Sequence, residues 1–279
     1  NSQPITDALL RAKTRGVTVR MVTDGEFGLE KPTTTVDQLE AAGIKVVSDG
    51  SRGAFMHDKF FVIDGLYVWT GSTNMTVNGF YNNNNNSILI RSSRLAQNYT
   101  TEFEELFAGK FGKTSPTTVP NPTVTVEGTR IETYFESEGD VPTRLAELVK
   151  QARSVRFMAF SFTESLDYNE GGADASLMDL LRDRAESGQL DLRGIVETSS
   201  RQYIKPLVCG GVTVEQDGNP DVFHHKVIIF DDSIVVMGSF NFSKSAADNN
   251  DENVLIIHNA AIASAYLQEF QTRWNEATV

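Results

Sequence analysis

Apolar positions run along this chain in two alternating periods, and the order of those periods occurs twice. Residues 9–16 read as the end of a helix and 17–22 as the strand that follows; 177–188 and 190–196 repeat that pairing. Residues 55–63 and 223–230, rich in aromatic and β-branched side chains, read as strands, each followed by a second strand at 67–70 and 234–237. Short apolar strands come next (88–90 and 254–257). Amphipathic helices close each series, at 93–107 with Phe103, Leu106 and Phe107, and at 260–274 with Leu267, Phe270 and Trp274. One repeating order of helices and strands predicts an α/β fold of two similar α-β-α sandwich lobes related by a pseudo-two-fold, with a mostly continuous sheet.

The boundaries follow from the breaks in period. Lys113 to Thr123 holds three prolines and a run of serine and threonine, which predicts a linker at 113–123 between a first repeat (1–112) and a second (124–279). The second repeat opens with a strand near 124–135, a helix near 143–153 and a buried-type strand at 155–160 that have no counterpart in the first. The first repeat is therefore expected to be incomplete, short of one strand-helix-strand unit at its N-terminal side. Loss of that unit is the expectation, because a dropped strand pair would expose a sheet edge beside the site.

Onto this repeat falls a duplicated polar signature. His57, Lys59 and Asp64, followed by Gly71-Ser72-Thr73-Asn74, return as His224, Lys226 and Asp231, followed by Gly238-Ser239-Phe240-Asn241; each residue stands 167 positions after its counterpart (57 to 224, 74 to 241). Two of the chain's four histidines occupy equivalent places. Strand period two sets His57 and Lys59 on one face, and likewise His224 and Lys226. Asp64 and Asp231 have the opposite parity and end their strands, which makes them structural turn residues; Asp64-Gly65 reads as a hairpin turn. The next strand returns the chain to Gly-Ser-x-Asn, where glycine permits close backbone approach and Ser and Asn supply short polar groups. Brought face to face, the copies offer two imidazoles, two ammonium groups, two amides and two hydroxyls. That inventory gives phosphoryl transfer a nucleophile, an acid for the leaving oxygen and donors for the equatorial oxygens. Ser72 and Ser239 are assigned to support phosphate binding. No Asp/Glu cluster at metal-ligand spacing stands near either motif, so no metal and no cofactor is expected.

The paired H-x-K-x4-D-x6-G-S-x-N pattern resembles the phospholipase D superfamily over both halves. The stretch 223–257, with Gly-Ser-Phe-Asn-Phe-Ser and Asn-Asp-Glu-Asn-Val-Leu-Ile, is most similar to small bacterial phospholipase D-type endonucleases and mitochondrial cardiolipin hydrolases. The resemblance implies that the motif positions of His57 and His224 are nucleophile and general acid, that Lys59, Lys226, Asn74 and Asn241 bind the phosphoryl group, and that catalysis is metal-independent. The copies differ at one position: Glu252 lies eleven residues after Asn241, where Asn85 lies eleven after Asn74. A carboxylate on imidazole Nδ1 fixes the tautomer and favours the charged ring, whereas an amide only orients it. Glu252 is thus a catalytic candidate, and the sequence leaves open which histidine it serves.

Charge modifies the substrate reading. A formal net charge of −12 is unfavourable for tight binding along nucleic acid, whose affinity comes mostly from phosphate contacts. The leading expectation is a nuclease-like phosphodiesterase acting through a phosphohistidine; the alternatives are phospholipase D or phosphatidyltransferase activity on phospholipids, and an inactive binding module. Partners are then a phosphodiester, nucleic acid or phospholipid, with the protein a soluble monomer of two pseudo-symmetric lobes. No apolar run of spanning length and no secretory leader occur in 1–279, and the compartment stays open between bacterial cytoplasm, periplasm and the exterior. Cys209 is read as a packed small hydrophobe. His225, of opposite parity to His224, is read as packed or solvated, His258 as a surface residue, 82–86 as a loop, and Phe80, Tyr81 and Tyr168 as candidates for stacking at a cleft rim, with packing the commoner role of such aromatics.

Overall fold

The computed structural model describes residues 1–114, 119–136 and 139–277; the central part of the expected linker, 115–118, lies outside the described residues. The first half runs α1 (Gln3–Thr14), β1 (Arg20–Thr23), α2 (Val36–Ala41), β2 (Lys45–Ser48), β3 (Phe60–Ile63), β4 (Tyr67–Gly71), α3 (Val77–Tyr81), β5 (Ser87–Arg91) and α4 (Ser93–Phe107). The second opens with β6 (Thr123–Val126), β7 (Thr129–Glu136), α5 (Val141–Gln151), β8 (Ser154–Ala159), β9 (Asp167–Glu170) and β10 (Ala173–Ser176). It continues with α6 (Leu177–Glu186), β11 (Asp191–Val196), α7 (Lys205–Cys209), β12 (Thr213–Gln216), β13 (Lys226–Phe230), β14 (Ile234–Gly238), α8 (Lys244–Asp248), β15 (Glu252–His258) and α9 (Ala260–Glu276).

Local chemistry sets these limits. Ser92 caps α4 by accepting from the Leu95 N–H, and Asn259 caps α9 by accepting from Ala261 and Ile262. The β3–β4 and β13–β14 hairpins turn through two left-handed residues each, Asp64 and Gly65 (φ 55° and 59°) and Asp231 and Asp232 (φ 47° and 52°). Such turns match strand twist and tolerate Asp or Gly best.

The second half forms a sheet in the order β12-β11-β8-β13-β14-β15-β7-β6. Its β8 pairs in parallel with β11 and antiparallel with β13, so one strand joins the two parts. The first half has no such bridge among the described residues: β1 pairs with β2, and β3-β4-β5 form a separate sheet. The expected continuous sheet is therefore found only in the second lobe.

One face of the large sheet and one face of β3-β4-β5 share a single core. Tyr99 and Leu95 of α4 and Ala263 and Phe270 of α9 pack there with Val68, Ile90, Val227, Met237 and Leu255. The other face of the large sheet is covered by α5 and α6. Tyr168, a rim candidate for which packing was the commoner reading, belongs to that second core and is buried. Cys209, expected to be packed, ends α7 in an exposed position.

Candidate functional site

The motif strands begin later than the sequence suggests. β3 starts at Phe60 and β13 at Lys226, so His57 and His224 sit on the extended segments leading into them. Those segments are held by the opposite lobe. His57 N–H donates to Asp251 O (3.0 Å) and Asp251 N–H to Phe55 O (3.0 Å); likewise His224 N–H donates to Asn84 O and Asn84 N–H to Val222 O, both at 2.9 Å. The two sets are related by the 167-residue offset, so each lobe fixes the other's histidine by the same parallel bridge (Met56 with Asp251, Phe223 with Asn84).

Side chains cross in the same way. His57 Nδ1 lies 2.8 Å from both carboxylate oxygens of Glu252. His224 Nδ1 lies 2.9 Å from Asn85 Oδ1 and 3.0 Å from Ser72 O. Glu252 therefore serves His57. It is fully buried and also accepts from Ser239 Oγ (2.6 Å) and Asn250 Nδ2 (3.1 Å), so it is not a solvated carboxylate. Burial pushes its pKa up, but the His57 charge and hydrogen bond, with Lys59 and Ser239, pull harder and leave it below the usual carboxylate value. An ionised Glu252 accepts the Nδ1 proton of His57 and leaves Nε2 with its lone pair.

Burial lowers the pKa of both imidazoles. Desolvation lowers His57 despite Glu252, and desolvation with the nearby Lys226, Lys59 and His57 charges lowers His224 strongly. The Lys59 and Lys226 ammonium groups donate to the carbonyls of His57 (2.6 Å) and His224 (3.0 Å). Burial holds Lys59 down to about 8 and Lys226 well below its usual value. Asn241 Oδ1 is buried without a partner among the described residues. The loop ends bearing Asn74 and Asn241 share one conformation, fixed by Thr76 N–H to Asn74 O (2.8 Å) and Ser243 N–H to Asn241 O (2.7 Å).

Ser72 and Ser239 have a different task from the one expected. Both are fully buried, and their hydroxyls donate to Asn85 Oδ1 (2.8 Å) and Glu252 Oε2 while accepting from the Asn86 and Asn253 N–H groups (both 3.0 Å). With donor and acceptor both engaged, each serine steadies the group that orients a histidine instead of facing a phosphoryl oxygen. Asp231 accepts the N–H groups of Arg153 and Ser154 (both 2.8 Å), a structural role; Asp64 makes no such contact among the described residues.

A second layer was missed. Asn253 Nδ2 donates to Asp58 Oδ1 (2.8 Å), while its Oδ1 accepts from Thr70 (2.6 Å) and Tyr99 (3.3 Å). At the same offset, Asn86 meets His225 Nδ1 (3.1 Å) and Tyr266 Oη (3.4 Å). His225 is packed and fully buried, with Glu269 at its other nitrogen (3.3 Å). His258 is bound to Glu132 (2.6 Å) and is not a free surface group. The run 82–86 is a loop, as expected, and Asn84, Asn85 and Asn86 on it bond to the other lobe; the common offset of Asn85 from Glu252 and Asn86 from Asn253 was the available signal for that role. Arg52 was also missed. It bonds Asp49 (3.2 Å) and Asp251 and lies over Phe111, joining the segment before His57 to the far lobe. Among the described residues no group of three or more His, Cys, Asp or Glu side chains is arranged to hold a metal ion, and no helix is long and apolar enough to cross a membrane.

Comparison with known proteins gives the family. The family model described as "Cardiolipin synthase, PLD-like domain" matches residues 1–107 and 145–274. A mitochondrial cardiolipin hydrolase of Xenopus laevis is 37% identical over 107 residues, 38% of this chain and 50% of that protein. A phospholipase D of Rickettsia bellii is 28% identical over 149 residues, 52% of this chain and 69% of that protein. The chain spans about half the length of the first of these curated relatives. The phosphatidylserine synthase structure from Haemophilus influenzae superposes with a TM-score of 0.74 at 13% identity, over 99% of this chain and 78% of its own, a likeness of fold.

Proposed function

The chain belongs to the cardiolipin synthase, PLD-like domain family, and from that premise we propose that it is a phosphodiesterase that works through a phosphohistidine, with no metal or cofactor. The observation that carries the reading is the unequal support of the two histidines: a carboxylate on His57 Nδ1 and an amide on His224 Nδ1. His57 is the nucleophile. Its Nε2 lone pair forms a bond to phosphorus as the P–O bond to the leaving group breaks, and Glu252 stabilises the positive charge that develops on the ring. His224 is the acid. Bound phosphodiester offsets the Lys226 and Lys59 charges that add to burial in lowering the pKa of this imidazole, so Nε2 takes a proton and passes it to the leaving oxygen. In the second half-reaction His224 Nε2 removes a proton from water, the water oxygen attacks phosphorus, and the P–N bond electrons return to His57. Lys59, Lys226, Asn74 and Asn241 donate to the equatorial oxygens.

The substrate is first a nucleic-acid strand. A phospholipid is the second reading, favoured by the net charge of −12 and by exposed Phe27 (55%) in the helical turn after β1 and exposed Phe80 (41%) and Tyr81 (70%) at the end of α3. The test is incubation with single- and double-stranded DNA and, separately, with phosphatidylcholine and cardiolipin vesicles, in excess EDTA. Turnover of one substrate class that falls more than about 10³-fold in His57→Ala and in His224→Ala is the expected result. Loss of all turnover in EDTA, or retained turnover in either variant, would refute the mechanism. Because Lys59 sits at about 8 by burial, kcat/KM should fall as pH rises through that value in the free enzyme.

A further inference from the structure

The 167-residue offset also governs a polar layer behind the histidines. Asp58, Asn86, Tyr99 and Glu102 of the first half return as His225, Asn253, Tyr266 and Glu269 of the second. Each asparagine crosses to the other lobe. Asn253 Nδ2 donates to Asp58 Oδ1 at 2.8 Å, and Asn86 Oδ1 lies 3.1 Å from His225 Nδ1. A tyrosine stands behind each amide: Tyr99 Oη donates to Asn253 Oδ1 at 3.3 Å, and Asn86 Nδ2 donates to Tyr266 Oη at 3.4 Å. One member differs in kind. The first copy has a short carboxyl where the second has an imidazole, long enough to continue to Glu269 Oε1 (3.3 Å) on α9, which pairs with Arg273 at 3.0 Å.

This layer adjoins the support of His224. Asn86 follows Asn85 in the chain, and both meet on one hydroxyl. Asn86 N–H donates to Ser72 Oγ (3.0 Å), Ser72 Oγ donates to Asn85 Oδ1 (2.8 Å), and Asn85 Oδ1 faces His224 Nδ1 at 2.9 Å. His225 follows His224 directly, and its carbonyl accepts the N–H of Phe160 (2.7 Å), whose ring meets the His224 imidazole at 5.1 Å. The bond from Asn86 to His225 therefore closes a ring that runs from His224 through Asn85, Asn86 and His225 back to His224. The other anchor of the Asn85 amide, Gly79 O at 2.9 Å, belongs to its own lobe and does not tie it to the His224 segment. His57 depends less on such a closure, because Glu252 is held by Ser239 and Asn250 as well.

We propose that His225 is a positioning residue for the acid half of the site: through Asn86 it keeps Asn85 Oδ1 on His224 Nδ1, which aims His224 Nε2 at the leaving oxygen. This role rests on the phosphodiesterase reading and on His224 as its acid. His225 is fully buried behind the His224 segment and acts only through its neighbours. Its influence falls on the step in which the leaving oxygen takes a proton. Attack of His57 on phosphorus keeps its own supports, which lie on Glu252, Ser239 and Asn250. A loss of aim at His224 thus slows departure of a poor leaving group and spares one that needs no proton.

The test compares two diesters by kcat/KM, which covers the steps up to departure of the leaving group and so excludes the later activation of water by His224. One is the diester that the parent hydrolyses, whose alkoxide must be protonated as it leaves. The other carries the same phosphoryl group with p-nitrophenol as the leaving alcohol, a phenolate that departs without a proton. His225→Ala and Asn86→Ala should each lower kcat/KM for the first about 10²-fold and leave the second nearly unchanged. His225→Asn should restore the first, because its short amide reaches Asn86 as Asp58 reaches Asn253. Equal losses on both diesters would overturn the proposal, since the layer would then support only the fold. So would a His225→Asn protein as impaired as His225→Ala. Should His225→Ala not fold, Asn86→Ala, at a half-buried loop position, decides by itself. Absence of turnover in the parent counts against the phosphodiesterase reading alone. The proposal is then decided by a proton–nitrogen correlation spectrum of the four imidazoles, in which the His224 signals should move in Asn86→Ala while those of His57 stay in place. Unmoved His224 signals would overturn it.

Discussion

Glu252 makes the two histidines unequal, and its environment says how far. Three donors converge on one carboxylate: His57 Nδ1, Ser239 Oγ and Asn250 Nδ2. A glutamine at this place offers one oxygen and an NH2 group that must face one of those donors. Glu252→Gln should therefore destabilise the fold by about 1–3 kcal/mol, the cost of an unsatisfied buried donor. It should also lower kcat about 10²–10⁴-fold, because the Nδ1 proton loses the partner that fixes the tautomer and the developing charge loses its counter-ion. The pH dependence has a definite sign. The folded-state pKa of Glu252 is depressed below its ordinary 4.5, so its contribution is present above that value and is lost as pH falls through the folded pKa. Urea melts of both proteins should differ most near neutral pH and converge in acid. A constant difference across that range would show that Glu252 is not held as a carboxylate by His57.

At the scale of elements, Gly71 and Gly238 are what bring those groups into place. Each ends the second strand of a motif hairpin at a positive φ (155° and 153°), and a Cβ there would meet the carbonyl of Asn86 or Asn253 at 2.1 Å. That approach is what lets Ser72 and Ser239 reach the start of β5 and β15. Gly238→Ala should cost about 2–4 kcal/mol and reduce turnover, because relief of the clash moves Ser239 away from Glu252. A thermal melt unchanged from the parent would contradict it. Much at this scale was legible in the sequence. The long helices, the paired strands, the Asp64 turn and the two motifs follow from period, turn chemistry and the repeat. What was not legible depended on the other lobe. His57 and His224 were placed inside strands because Phe55 and Phe223 read as strand residues, but their ladder partners are single bridges to Asp251 and Asn84. Tyr168 read as either a rim or a packed aromatic, because periodicity does not show that α5 lies beside it. Ser72 and Ser239 read as phosphate ligands because a short hydroxyl beside an active-site histidine suits either task, and only their inward partners decide between them.

For the whole molecule, the geometry of the candidate site is a property of the junction between lobes, and Arg52 ties that junction from outside the histidine layer. It reaches from the segment before His57 to Asp251, which lies beside Glu252 and whose other oxygen accepts the Gly112 N–H at 2.6 Å. Burial lifts the Asp251 carboxyl to about 6, against the pull of Gly112 and Arg52. Removing the guanidinium leaves that nearly inaccessible carboxyl with its burial penalty and without its counter-ion, so Arg52→Ala should destabilise by about 2–4 kcal/mol near neutral pH. A raised folded-state pKa costs stability as pH rises, because the unfolded chain is already ionised while the native group still holds its proton. In Arg52→Ala that pKa rises further, so the loss relative to the parent should be small near pH 5 and grow as pH rises above about 6. The same variant loosens the bridge from Asp251 to His57, and kcat should fall along with stability. Arg52→Lys restores a charge but cannot hold Asp49 and Asp251 at once, so it should recover part of the stability and little of the rate. Denaturant melts at pH 5 and pH 8 for the three proteins, with turnover measured alongside, decide the matter. A pH-independent loss in Arg52→Ala would mean that the guanidinium acts through packing on Phe111 and not through Asp251, and full recovery of rate by lysine would mean that charge alone, without the fork, holds the junction closed.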